Sequence, residues 1–461
     1  MGGLFSSLNV SSTALEAFTR ALGASQQNIA NTSTPGYAAQ RASIQPISEL
    51  GITGGGDAVT ISSTGSALAD ALVQTASSQT AASQTAATQL TPINQLFDIT
   101  GSTGVLGALQ NFSTAFSSLS VSPNDSTLRA NALSAAANAA SAFRQTATSL
   151  DQLGTSLNSQ IQSTASQINT LAGQIAGLNR QAAAGAGADA GANATLRSAL
   201  DQLSSLIDIN VTSNADGTVS VLAGAEVPLV LGYQSYALSV NPQASPGAQV
   251  TSSAGGSSPD SFSGQLGALL DTQNSVLNPL RGTSTSAGSL NTLAAGFASR
   301  VNTLLESGTT ASGTAGVPLF SFDPGNASNA ARSLTLVSGF TADQLALAST
   351  GAASQANGIA NQLAALPSSS NAADLINGLS AQDLFSSIAS GIGQKLSDAN
   401  LRSTADQTTL TSAQTARTQQ TGVSLDQEAV NITNLQNAYQ AEAKVISIID
   451  QLTSDAVSLI K

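Results

Sequence analysis

Leu425-Asp426-Gln427-Glu428-Ala429-Val430-Asn431-Ile432-Thr433-Asn434-Leu435-Gln436-Asn437-Ala438-Tyr439 opens the stretch that decides the fold, which runs on to Ile460. Leu425, Ile432, Tyr439, Ile446 and Ile460 fall at intervals of seven or a multiple of seven. Ala429, Leu435, Ala443, Ile449 and Ala456 lie between them, three or four residues on. This is an a/d seam of period 3.5, the pattern of a helix laid along another helix. No Gly or Pro interrupts Val423 to Lys461. Alanine at several seam positions allows close backbone approach but buries little apolar surface. A helix of this kind forms only when its seam is covered, so the remaining sequence is read for the cover.

The other end of the chain supplies a candidate. Leu8, Leu15, Leu22 and Ile29 repeat every seven residues, with Leu4, Ser11, Phe18 and Ser25 between them. Two of those four intermediates are serine, so this helix alone cannot offset its ordering entropy. Pairing of the two terminal seams is the expectation; two unrelated amphipathic helices on a globular core is the blander alternative. With so many small residues in it, the joint is expected to close when a polymer does.

A chain of 461 residues implies several domains. Only 9% of residues are charged and 3% aromatic, and the balance is carried by Ala, Ser, Thr, Gln and Asn. That composition favours long, thin, Ala/Leu-lined helices over a thick aromatic core. The net charge of −12, with fourteen scattered basic residues, excludes a nucleic-acid backbone as ligand. Neither cysteine nor histidine is present, which removes disulfides, thiolate metal sites and the usual general base. No run of about 18 apolar residues is present, so no membrane span is expected. Met1 is not followed by a basic then apolar leader, so no cleavable secretory signal is expected either.

Between the ends, Gly54-Gly55-Gly56 before the alternating Val59 and Ile61 predicts a loop and a short strand. Ser66 to about Leu96 reads as a polar helix, and Leu106, Leu109, Phe112, Phe116 and Leu119 share a face of the next. A third seam joins Leu150, Leu157, Leu171 and Leu178 with Ile161, Ile168 and Ile175, Thr164 being its one polar intruder. Glycines from Gly185 to Gly191 break it; their spacing suits a connector rather than a nucleotide loop. The period then switches to two at Ile207, Ile209 and Val211, with Asn214-Ala215-Asp216-Gly217 as a hairpin turn before Val219 and Val221. Asn241 to Asp260 reads as a linker. Extended segments are expected at Leu319–Phe322 and Ser333–Val337, a linker at 367–373, then a helix to about Arg417. Carboxylates are sparse, no histidine is present to activate a serine, and no serine lies in a Gly-x-Ser-x-Gly setting, so no catalytic, cofactor-binding or metal-binding residues are assigned.

Pro35 and Gly36 stop the first helix and turn the chain. The spelling there is more specific. Asn28-Ile29-Ala30-Asn31, then Thr34-Pro35-Gly36-Tyr37, resembles the N-terminal signature of the bacterial flagellar axial family of rod, hook and hook-associated proteins. Gly422 to Glu428 and Gln436 to Ile446 resemble that family's C-terminal helix. Ser33, where Asn is common, and Ala38-Ala39-Gln40-Arg41 depart from the pattern. The helical middle, with Asp201-Gln202-Leu203, Asp216-Gly217-Thr218-Val219 and Gly267-Ala268-Leu269-Leu270-Asp271, is similar to the hook-associated members rather than to β-rich hook and rod subunits.

The fold expected is mainly α: an elongated bundle of long coiled-coil-like helices from both termini, with a smaller central β-containing region. Three parts are expected: 1–62 with 418–461, 63–205 with 368–417, and 206–367. The resemblance implies a structural adaptor at the hook–filament junction, self-associating in a ring or tubular polymer, with no enzymatic activity. It implies type III export to the outside of the cell. The implied partners are the hook protein, the second junction protein and a cytoplasmic export chaperone on the C-terminal helix. The assembly interface would then use Leu8, Leu15, Phe18, Leu22 and Ile29 with Leu425, Ile432, Leu435, Tyr439, Ile446 and Ile449. The signature loop comprises Asn28, Asn31, Thr34, Pro35, Gly36 and Tyr37. Another axial subunit, or a surface adhesin using 206–367, is the alternative reading.

Overall fold

The computed structural model describes residues 2–46, 57–100, 103–184, 190–224, 226–241, 247–255, 262–323, 325–349 and 357–458. In chain order the elements are α1 (Gly2–Ala30), β1 (Gln40–Pro46), β2 (Asp57–Ser63), α2 (Ala67–Leu96), α3 (Gly104–Val121), α4 (Ser126–Ala183) and α5 (Ala190–Leu206). A β-meander follows: β3 (Ile209–Ser213), β4 (Val219–Ala223), β5 (Val227–Leu231) and β6 (Gln234–Ser235). Then come β7 (Leu238–Asn241), β8 (Gln249–Ser252), α6 (Gly264–Asp271), α7 (Asn278–Arg281), α8 (Ser289–Glu306), α9 (Ala330–Ser333), α10 (Gly358–Ala365), α11 (Ala381–Thr421) and α12 (Leu425–Ser458). The fold is mainly α with long helices from both termini, as the periodicities predict.

Contacts divide the chain into two compact units rather than the expected three parts. The first comprises Met1–Ser77, Asn169–Tyr236 and Gln407–Lys461; the second comprises Ser78–Ile168 and Ala237–Asp406. The meander therefore groups with the terminal helices, while the rest of the predicted central region belongs to the second unit.

In the first unit α1 lies along α12. The pair runs antiparallel, because the end of α1 (Asn28) bonds to the start of α12 (Glu428). The β1–β2 hairpin, in register from Gln40↔Ser63 to Pro46↔Asp57, packs on α1. In the meander, Val219, Val221 and Ala223 point inward by simple alternation, whereas in β5 Val227, Leu229 and Val230 are all buried beside a shift in the β4–β5 register. The predicted turn forms with Gly217 at φ 80°. One asparagine fixes the sheet to α4: Asn179 Nδ2 donates to Val219 O (2.8 Å) and Gly232 O (2.6 Å), and its Oδ1 accepts from Val219 N (3.0 Å).

The second unit has an aromatic core. Phe297 of α8 meets Phe112, Phe143 and Phe320 at ring-centroid distances of 5.1, 6.3 and 5.9 Å. Phe97 stacks on Phe385 at 5.5 Å. Leu150, Ile161 and Ile168 of the predicted α4 seam are fully buried here, and so is the polar intruder Thr164. Arg129 is spent on loop carbonyls, donating to Pro123 O, Ala342 O and Leu345 O. The expected extended segments pair as Phe320–Ser321 with Thr335–Leu336.

Two expectations change. Residues 241–260 are not linker throughout, since Gln249–Ser252 pairs with Leu238–Asn241; a four-residue strand is too short for periodicity to reveal. The helical run after Asp271 contains a six-residue π turn, Thr272–Leu277, for which sequence gives no signal. The glycines Gly54–Gly56 and most of the Gly185–Gly191 connector lie outside the described residues.

Candidate assembly surfaces

The terminal helices meet on a line different from the expected one. Ser11, Ala14, Ala17, Ala21, Ala24, Ser25 and Asn28 are buried on α1. Leu8, Leu15, Phe18 and Leu22 are only half-buried, and Ile29 is 38% exposed. On α12, Ile449 and Glu428 are buried and Ile432, Leu435 and Ile446 half-buried, whereas Leu425 and Tyr439 are 51% and 43% exposed. In the single chain the leucine seam is thus half-buried rather than fully closed. The small residues of α1 are buried on the face that packs on α12 and the β1–β2 hairpin. The leucines are displaced to the flank. Closure is also not deferred to a polymer, since α1 and α12 are packed within the single chain. Further exposed apolar residues, Val430, Val445, Ile448, Leu452 and Val457, lie on α12.

The signature loop is held by local bonds. Asn31 Nδ2 donates to Gln27 O, Thr34 Oγ1 to Asn31 Oδ1, and Tyr37 N to Thr34 O. Pro35 is exposed at the turn. Gly36 has φ 77°, and a Cβ there would stand 2.5 Å from Ala194 O, so only glycine lets the loop seat on α5. Asn28 is the hub. Its Oδ1 accepts from Gln40 N (2.8 Å) and the Tyr37 hydroxyl (2.9 Å), and its Nδ2 donates to Gln40 O (2.9 Å) and Glu428 Oε1 (2.8 Å). Burial, then the nearby Glu428 charge, raises the Tyr37 hydroxyl above its ordinary pKa. The other oxygen of Glu428 is buried without a hydrogen-bond partner among the described residues.

Beneath the loop lies a charge network that the sequence reading missed. Arg417 of α11 contacts Asp201 of α5 at 2.9 Å and Asp70 of α2 at 3.5 Å, and Arg197 contacts Asp70 at 3.3 Å. Asp70, Arg197 and Arg417 share a cleft of about 200 Å³ with Thr34, Gly36 and Tyr37. Burial pushes the Asp201 carboxyl above the usual carboxylate range and outweighs the opposing pull of Arg417. The four residues are spread from 70 to 417, so no local pattern could have joined them. The network is a joint between helices: every carboxylate faces a guanidinium, and among the described residues no group of three or more metal-ligating side chains occurs. Nor is any described helix long and apolar enough to cross a membrane.

Comparison with known proteins agrees with this architecture. The family described as flagellar hook-associated protein FlgK helical domain matches residues 90–320, half of the chain. The family described as flagellar basal body rod FlgEFG protein C-terminal matches residues 414–459. No curated protein matches the chain. Among solved structures, the flagellar hook junction protein FlgK from Burkholderia pseudomallei superimposes with a TM-score of 0.64 at 17% identity. The match covers 75% of this chain and 99% of that one, and at this identity it is evidence for the fold. The chain belongs to the flagellar hook-associated protein FlgK family.

Proposed function

We propose that this subunit works as the adaptor between hook and filament by packing helices, without chemistry of its own. The observation that carries this is the exposed apolar surface of the terminal pair. Leu8, Leu15, Leu22 and Ile29 on α1 remain partly open to solvent, as do Leu425, Ile432 and Tyr439 on α12. Long helices with apolar flanks open to solvent call for neighbours. The neighbours are copies of the chain in a ring or tube, with the hook protein on one side and the second junction protein on the other. Before assembly the same flank of α12 is the surface for a cytoplasmic export chaperone. The working location is the flagellum outside the cell, reached by type III export.

Deletion of the gene, followed by motility assay and electron microscopy, tests the adaptor role. Hooks that assemble but carry no filament, with filament protein lost to the medium, are expected. Normal filaments in the deletion strain would overturn it.

A further inference from the structure

An arginine in the second unit is desolvated without a carboxylate to match it. Arg281 ends α7 at a turn that only glycine allows: Gly282 has φ 85°, Gly288 has φ 77°, and a Cβ on Gly282 would stand 2.3 Å from Ala287 O. Its guanidinium rests on α4 at Gly154, where a Cβ would come within 2.2 Å of Nη1. Glycine weakens a helix interior, so its place here is explained by the room it gives the guanidinium. Nη2 donates to Asn278 Oδ1 at 3.2 Å. Among the described residues no carboxylate forms an ion pair with Arg281. Burial lowers its pKa, with Asp151 the one charge that opposes the change. That carboxylate is already taken, by Arg332 at 2.8 Å.

Arg281, Arg332, Asp151 and Asn291 share a cleft of about 290 Å³. Two guanidiniums against one carboxylate give it a net positive charge, in a chain whose net charge is −12. The cleft is preorganised by Asn291, 3% exposed, which donates to Arg281 O (2.7 Å) and accepts from Ala331 N (2.8 Å). It thereby fixes both arginine-bearing segments through their backbones.

We propose that this cleft receives an Asp or Glu side chain from a second copy of the chain, bound by the free N–H groups of Arg281. Charge complementarity selects the occupant. Copies of a strongly acidic subunit repel one another when packed side by side, and each offers carboxylates of which 26 occur per chain. The choice of a second copy rests on the junction reading; the anion preference of the cleft does not.

The test adds full-length chain to hooks purified from a strain lacking it and counts capped hooks by electron microscopy. Arg281→Met should raise the half-capping concentration about 30-fold, the effect of leaving one member of a charged interface pair unmatched. Gly154→Ala should act in the same direction, because its methyl displaces the guanidinium while favouring the helix. Circular dichroism of both variants should match the parent, and Arg281→Lys should recover part of the loss. Glutarate at fixed ionic strength should compete with capping by the parent chain. A photo-crosslinker on Ser284→Cys, then the only thiol, should join a peptide of another copy. Capping by Arg281→Met equal to the parent overturns the proposal, even if glutarate stabilises the free chain. A crosslink to hook protein alone overturns the assigned occupant. Failure of the parent chain itself to cap hooks would instead defeat the junction reading.

Discussion

The two units solve the same problem with different side chains. Ten of the twelve phenylalanines lie in the second unit and all four tyrosines in the first. In the second unit the rings of Phe112, Phe143, Phe297 and Phe320 fill one core and are almost wholly buried. In the terminal pair the buried line is alanine and serine, closed at one end by Asn28 and Glu428. An aromatic core is internally complete. An alanine line brings backbones together but leaves larger residues at the rim, where another molecule can use them. The first arrangement favours autonomy and the second favours assembly.

Four substitutions and a titration probe that contrast, and the largest effect is expected in the aromatic core. Phe297→Ala should cost about 3–5 kcal/mol in urea unfolding, because it opens a cavity among three other rings. A loss no greater than that of an alanine-line variant would erase the distinction. Next, Arg417→Met strands Asp201, while Asp70 keeps Arg197, and should cost about 3 kcal/mol, read by the same melts. Asn28→Ala removes the partners of Tyr37, Gln40 and Glu428 at once; about 1–3 kcal/mol is expected, with amide exchange rising first at Gln40. Leu15→Ser on the flank should change monomer stability by only about 0.5 kcal/mol while abolishing filament attachment in a complemented strain. Equal losses in stability and assembly would mean the flank serves the monomer.

The smallest effect is a dependence on pH. The folded-state pKa of Asp201 is raised by burial, so the folded chain binds this proton more readily than the unfolded chain. Its contribution to stability is therefore greatest at acid pH and declines as pH rises through the folded value. Asp201→Asn should match the parent at low pH and gain on it toward neutrality, measured by urea melts across the range. The opposite trend would mean that pairing with Arg417 outweighs burial.

Helix existence was legible in the sequence because it depends on local spacing. The seven-residue repeats placed α1, α4 and α12, and Asn214–Gly217 placed the meander's first turn. The side of each terminal helix that faces inward was not legible. A hydrophobic repeat ranks leucine above alanine, whereas close packing ranks the smaller residue first, and here packing decides. The loop was found by its spelling, yet the bond from Asn28 to Glu428 spans 400 residues and the Asp70–Arg417 contact joins α2 to α11. Pairings of that range arise from topology, which no window of sequence contains.

Asn28, Asn179, Asn291 and the half-buried Asn302 repeat one device: a helical asparagine whose amide bonds to both N–H and C=O groups of neighbouring segments. Asn302, for example, accepts from Leu319 N and Phe320 N and donates to Phe320 O. The amides themselves do not titrate, and at Asn179, Asn291 and Asn302 neither do the backbone groups they bond; at Asn28 the partners Glu428 and Tyr37 do. The weakness of the amides is age. Hydrolysis of the Asn179 amide would put a carboxylate oxygen against the carbonyls of Val219 and Gly232, turning attraction into repulsion at a place no solvent can screen.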